Sequence, residues 1–204
     1  NTVFVGVPLI LKAYGEEGAV PLFLLIAIHL PVMLVAATVL LEGSAGFSRA
    51  TMLRLVKALA FNPILIGIYA GALARIFGIQ ATGIPKQMVD LLAAAATPCA
   101  LISLGLSLKR YGMAGGDLAP SAVICVLKLV VHPAAVFALT QVFSMPPVWA
   151  GVAVLFAAMP SGINGYLLAQ RYGIGVATST TAVSMSTGAA VFTVAVWLYI
   201  LGVG

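Results

Sequence analysis

The chain has 204 residues, 62% of them hydrophobic and only 7% charged, with a net charge of +5. A soluble domain carries roughly 25% charged residues, so nothing here could clothe a water-soluble surface of this size. Soluble enzymes, disordered chains and nucleic-acid binders are thereby excluded, and the class is an all-α, polytopic protein of the lipid bilayer.

In chain order, residues 1–11 form an apolar run too short to cross a bilayer at ~1.5 Å per residue. A polar loop is expected at 12–18 and a full span at 20–41. Residues 42–54 read as a polar, basic loop with Gly43, Gly46, Arg49 and Arg54. A second span at 55–77 is bent by Asn62-Pro63, and its Gly67 and Gly71 form G-x-x-x-G, a close-packing face and a candidate homodimer contact. A loop at 78–86 leads to a third span at 88–108, opened by Asp90, and a Gly-rich loop at 109–117 follows it. The fourth span is 118–143, the fifth 148–172 and the sixth 176–201, with a tight turn at 144–147.

Loop charge sets the orientation. Arg49, Arg54, Lys57, Lys109, Arg110 and Arg171 fall in one alternating set of loops; Lys12, Arg75 and Lys86 fall in the other. The richer set is expected in the cytoplasm, and the excess of cations is that of the positive-inside rule. Cys99 and Cys125 lie in apolar runs with no C-x-x-C or His/Cys cluster, so no metal and no cofactor is expected. The chain opens on Asn with no charged leader and reads as starting inside a longer polypeptide.

The fifth span carries the most information. Its centre reads Met159-Pro160-Ser161-Gly162-Ile163-Asn164-Gly165. Proline removes a donor and clashes with the preceding turn, and two glycines add freedom. The expected break lies near the bilayer midplane, where irregular backbone is tolerated only inside protein or beside a water-filled cavity. A half-helix starting near Ser161 would aim free N–H groups and its positive end into that cavity, with Ser161 and Asn164 adding donors. Such a place suits an anion, and interrupted helices at this depth mark secondary transporters. The plainer reading is a packed, Pro-kinked helix without a ligand.

Residues 1–41 echo 160–201. Each begins with a half-helix-length run, ends it in Tyr-Gly (Tyr14-Gly15, Tyr172-Gly173) and continues into a full span. The two units are expected in opposite membrane orientation, as an inverted repeat.

The stretches NTVFVGVPLILKAYGEEG, FNPILIGIYAGALA, ATPCALISLGLSL, LKLVVHP and AMPSGINGYLLAQRYG resemble the auxin efflux carrier family. The resemblance spans nearly the whole chain, and the short loop at 42–57 is similar to that of its bacterial, malonate-permease-like branch. It implies ten helices in two inverted five-helix repeats with the fourth and ninth broken and crossing. On that template residues 1–41 are the end of the first repeat, 42–57 a cytoplasmic loop and 58–204 the second repeat, with its crossover at 148–172. The first three helices would be missing, and the bacterial inner membrane is the implied location.

Other polar residues inside the spans are few. Lys128 is mid-span, where an ammonium costs at least ~2.5 kcal/mol and marks a pathway; it is read as a counter-charge to an anion, a stand-in for a coupling cation or a proton carrier. The alternative is a snorkelling or structural lysine. His132, just before Pro133, is a candidate proton relay or a partner for the carbonyl that the proline frees; His29 before Pro31 reads likewise. Asp90 is a candidate cation or proton site, or a helix-start acid. Thr180, Ser184, Thr187 and Gly188 form a small polar face expected beside the break. Ser161 and His132 lack any motif that would make them a catalytic dyad, so no enzyme is expected.

The expectation is therefore a secondary transporter of small organic anions, such as malonate or auxin-like acids, working by alternating access. Asn1, Thr2, Pro160, Ser161, Gly162, Asn164 and Lys128 form its substrate site, and Lys128, His132 and Asp90 are its candidate coupling residues. The rival readings are a cation-coupled exchanger or symporter of the same architecture and a non-transporting membrane subunit.

Overall fold

The computed structural model describes residues 1–42, 48–111 and 118–203. Gly43, Gly46, Asp117 and the side chains of Lys109 and Arg110 lie outside the described residues. All regular structure among the described residues is helical: α1 (Val7–Tyr14), α2 (Ala19–Glu42), α3 (Arg49–Ala60), α4 (Pro63–Ile76), α5 (Gly83–Tyr111), α6 (Leu118–Val126), α7 (His132–Val142), α8 (Pro147–Ala158), α9 (Ile163–Tyr172) and α10 (Val176–Ile200). Two wide π turns, Thr2–Gly6 and Leu127–Val131, lead into α1 and α7.

Among the described residues, three helical runs are long and apolar enough to cross a bilayer: Thr2–Leu41, Leu118–Val142 and Val176–Ile200. Two bent pairs raise the number to five, α3 with α4 at 58° and α8 with α9 at 42°. Both bends fall at prolines foreseen in the sequence. Asn62 caps α4 by accepting from the Ile64 and Leu65 N–H groups at 3.0 and 3.2 Å, and Pro63 takes the first helical position, where no donor is needed.

Three expected loops are shorter than foreseen, that at 78–86 because α5 already begins at Gly83. The polar loop at 12–18 contracts to one tight turn, Gly15–Gly18, because Lys12, Ala13 and Tyr14 complete α1 and only Gly15, at φ 59°, leaves the helix. The loop at 42–54 gives way to α3 from Arg49 onward: Ser48 caps it by accepting from the Thr51 N–H at 3.1 Å, and Arg, Leu and Lys are good helix formers.

The chain packs as two compact units. The second, Phe23–Ala93, contains most of α2, all of α3 and α4, and the start of α5. Within it, Pro31 leaves the Ala27 carbonyl without its helical donor. The Tyr69 hydroxyl donates to that carbonyl at 3.4 Å, a donor from far along the chain. The G-x-x-x-G face is open rather than close-packed, since a side chain at Gly67 or Gly71 would meet nothing within 4 Å. Gly71 instead lines a cavity of about 560 Å³ with Ala74, Arg75, Gly78, Ile79 and Gln80.

The first unit, Asn1–Leu22 with Ala94–Gly204, is built around α8. That helix is apolar all round, and Val152, Val154, Leu155, Phe156, Ala157 and Ala158 are all buried. A helix without a polar face must be enclosed by others: α7 lies along it, α10 and the Leu127–Val131 turn cover further sides, and α1 crosses it.

Candidate functional site: the helix crossover

The break between α8 and α9 spans residues 159–162. Met159 and Gly162 are extended, at φ −63°, ψ 144° and φ −88°, ψ 161°. Met159 and Pro160 are fully buried; Ser161 and Gly162 are half-buried, and Asn164 and Gly165 are exposed. An unpaired backbone group at this depth is costly, and the partners of several are visible. The Ala157 carbonyl, at the negative end of α8, accepts from the Lys128 ammonium at 2.6 Å. The Pro160 carbonyl accepts from the Asn1 nitrogen. The Ser161 N–H donates to Ser186 Oγ on α10 at 3.1 Å. Beyond it, α9 begins from Gly162 with no side-chain cap.

The start of the chain completes the crossing. Asn1 accepts from the Val5 and Gly6 N–H groups at 3.2 and 3.3 Å, opening the π turn that Thr2 begins. A Cβ at Gly162 would stand 3.3 Å from the Asn1 nitrogen, so a larger residue would have to push that segment back by a few tenths of an ångström. Gly6 lies against Met159, whose Cγ would be 3.1 Å from an added Cβ. Met159 packs with Leu129, Ala190 and Val194, and Val5 and Leu9 lie against that cluster. At the far end of α1, Tyr14 is seated on Gly151 of α8, where an added Cβ would overlap its hydroxyl.

Of the expected site residues, the structure brings Asn1, Pro160, Ser161, Gly162 and Lys128 together, with Thr2 opening the adjoining turn. Asn164 sits on the exposed first turn of α9. His132 joins through Lys128, whose Nζ lies 3.4 Å from His132 Nδ1. The carbonyl freed by Pro133, that of Leu129, is taken by Trp197 Nε1 at 3.3 Å, so His132 does not fill that part. Asp90 belongs to the second unit, is exposed, and pairs with Lys86 one turn earlier at 2.6 Å. On the small polar face of α10 the hydroxyls divide. The Thr180 and Thr187 hydroxyls turn back to the Val176 and Val183 carbonyls of their own helix, and Ser186 reaches the break. Ser186 is one turn from Ala182 and Ala190, and that small, buried stripe was the signal that identified the facing side.

The chain is similar to a protein of Rhizobium meliloti named "Putative malonate transporter", with 28% identity over the whole chain and 65% of that relative's length. It is also similar to uncharacterized transporters of Methanocaldococcus jannaschii (28% identity, 98% of the chain) and Methanothermobacter thermautotrophicus (26% identity, 98% of the chain), again over 65% of each relative's length. The chain thus spans about 65% of the length of the curated relatives it matches. No solved structure matches it. The model of the membrane transport protein family matches residues 47–198. With its apolar spans and its broken, crossing helices, the chain belongs to that family, the auxin efflux carrier-like membrane transport proteins.

Proposed function

We propose that this protein is a secondary transporter of small organic anions, carboxylates in particular, and that they bind at the crossover. The observation that carries the reading is the start of α9 at a partly buried break in an apolar span, with the Asn1–Gly6 turn packed against it. A helix start presents roughly half a positive charge. Lys128 meets the opposite, negative end of α8 through the Ala157 carbonyl. None of the five acidic residues falls in the break or in the Asn1–Tyr14 run. The local charge balance favours an anion, and Asn164, Thr2 and Ser161 supply uncharged donors around it. Malonate fits as a compact dicarboxylate, and the name of the Rhizobium relative supports it as first probe. With Lys128 as a resident cation, coupling to protons is preferred over coupling to sodium.

The test is counterflow of labelled malonate in proteoliposomes carrying the natural protein, against a panel of unlabelled carboxylates, with Lys128→Ala beside it. Exchange competed by carboxylates and reduced at least about tenfold by the substitution is expected, because hydrogen bonds to charged groups are the strong ones. A cysteine at Asn164 should also react with a small, polar thiol reagent. No exchange of any carboxylate by folded protein would sink this reading. Complete protection of that cysteine would favour a packed, non-transporting subunit.

A further inference from the structure

The helical run Leu118–Val142 meets α10 through α6, through the π turn and, in α7, through Phe137. Ser121 Oγ donates to the Thr178 carbonyl at 3.2 Å and Cys125 Sγ to the Ala182 carbonyl at 3.7 Å. Further along, Leu129 packs with Ala190 and Val194, and the Phe137 ring lies 6.2 Å from that of Trp197 at 50°. These contacts sit at 121, 125, 129 and 137, all on one side. A straight α-helix turns ~100° per residue, so residue 137 would end ~160° off the face of residue 121. The π turn at Leu127–Val131 takes up one extra residue and returns about 100° of that drift. It keeps Phe137 within reach of Trp197 on α10 while α7 lies along α8. It also directs Lys128, the residue before Leu129, at the Ala157 carbonyl of α8.

The turn has a cost at one atom. Pro133 has no N–H for the Leu129 carbonyl, and its ring crowds that oxygen. In an apolar surrounding an orphan carbonyl is expensive. Trp197 Nε1 supplies the missing donor at 3.3 Å, and both residues are buried. We infer that Trp197 is a positioning residue for Lys128: its indole N–H holds the π turn open and so keeps the ammonium on the break. The geometry of the turn stands independently of the proposed function, and only its consequence for transport rests on that reading.

Trp197→Phe keeps a ring against Phe137 and deletes the donor. In the natural protein, a small amine-acylating reagent with site-resolved mass spectrometry reports the exposure of Lys128, with Lys12 and Lys86 as references. Modification of Lys128 should rise about tenfold in Trp197→Phe, the references should not change, and Trp197→His, which retains a ring N–H, should restore protection. In counterflow, the carboxylate KM should rise in Trp197→Phe at little cost in maximal rate, and should rise no further when Lys128→Ala is added. Wild-type modification of Lys128 in folded Trp197→Phe would overturn the inference, as would equal modification in the Phe and His variants. Should Trp197→Phe not fold, the benzothiophene analogue of tryptophan, which puts sulfur in place of N–H in a ring of nearly the same shape, gives the same comparison. If wild-type protein exchanges no carboxylate, the proposed function fails while the labelling still decides the role of Trp197.

Discussion

Replacing Gly151 by alanine sets two effects of opposite sign against each other. Gly151 is in the middle of α8, and alanine in place of glycine in a helix ordinarily gains ~1 kcal/mol. Here the new methyl would overlap the Tyr14 hydroxyl at the end of α1. Tyr14 must then turn its ring aside about a Cβ that lies close to Gly18. Overpacking of this kind costs about 1–3 kcal/mol. The net is a loss of up to about 2 kcal/mol, opposite in sign to the helix propensity. Thermal unfolding in detergent, followed by reaction of a thiol dye with buried Cys125 in a Cys99→Ser background, should show a midpoint lowered by up to about 8 °C. Tyr14→Ala should suppress most of that loss, so the two substitutions are strongly non-additive. A Gly151→Ala protein more stable than wild type, or two additive effects, would refute the claim that Tyr14 keys α1 to α8.

The same assay addresses two hydrogen bonds. Ser186→Ala leaves the Ser161 N–H without its acceptor and should cost about 1–3 kcal/mol; hydrogen exchange at the Ser161 amide should quicken, and an unchanged rate would show that the bond does not hold the break. Asn62→Ala removes the cap of α4 and should cost about 1 kcal/mol, whereas Asn62→Asp should retain most of it; equal stability of the two variants would count against capping as the origin of the bend.

Much of this architecture was legible in local chemistry. Pro160 with two flanking glycines can hardly continue a helix, and Asn62-Pro63 is both a cap and a helix start, so both bends could be placed from sequence. Lys128 was conspicuous because a charge in an apolar run needs a reason. What escaped was the identity of long-range partners. Each proline announced an orphan carbonyl four residues earlier, and the neighbouring histidines were the obvious donors. The structure uses Tyr69 for Ala27 and Trp197 for Leu129, each far along the chain. A local reading can state that a donor is required but not which distant side chain arrives. Ser186 was missed for a related reason: Ser184, Ser186 and Thr187 look alike in sequence, and only the buried Ala182–Ala190 stripe tells which side faces the break.

The burial of Met159 has a mechanical consequence. Next to the backbone that leaves the helix stands a side chain with no exposure, wedged among Leu129, Ala190, Val194 and the Val5–Leu9 side of the crossing helical run. The crossing therefore has a greased seam on one flank and an exposed edge, at Asn164 and Gly165, on the other. Parting the two crossed segments would strand that thioether against polar backbone, so the pair is built to travel as one piece. In the proposed transporter, a change of access would then come from what moves around the crossing rather than from the crossing coming undone.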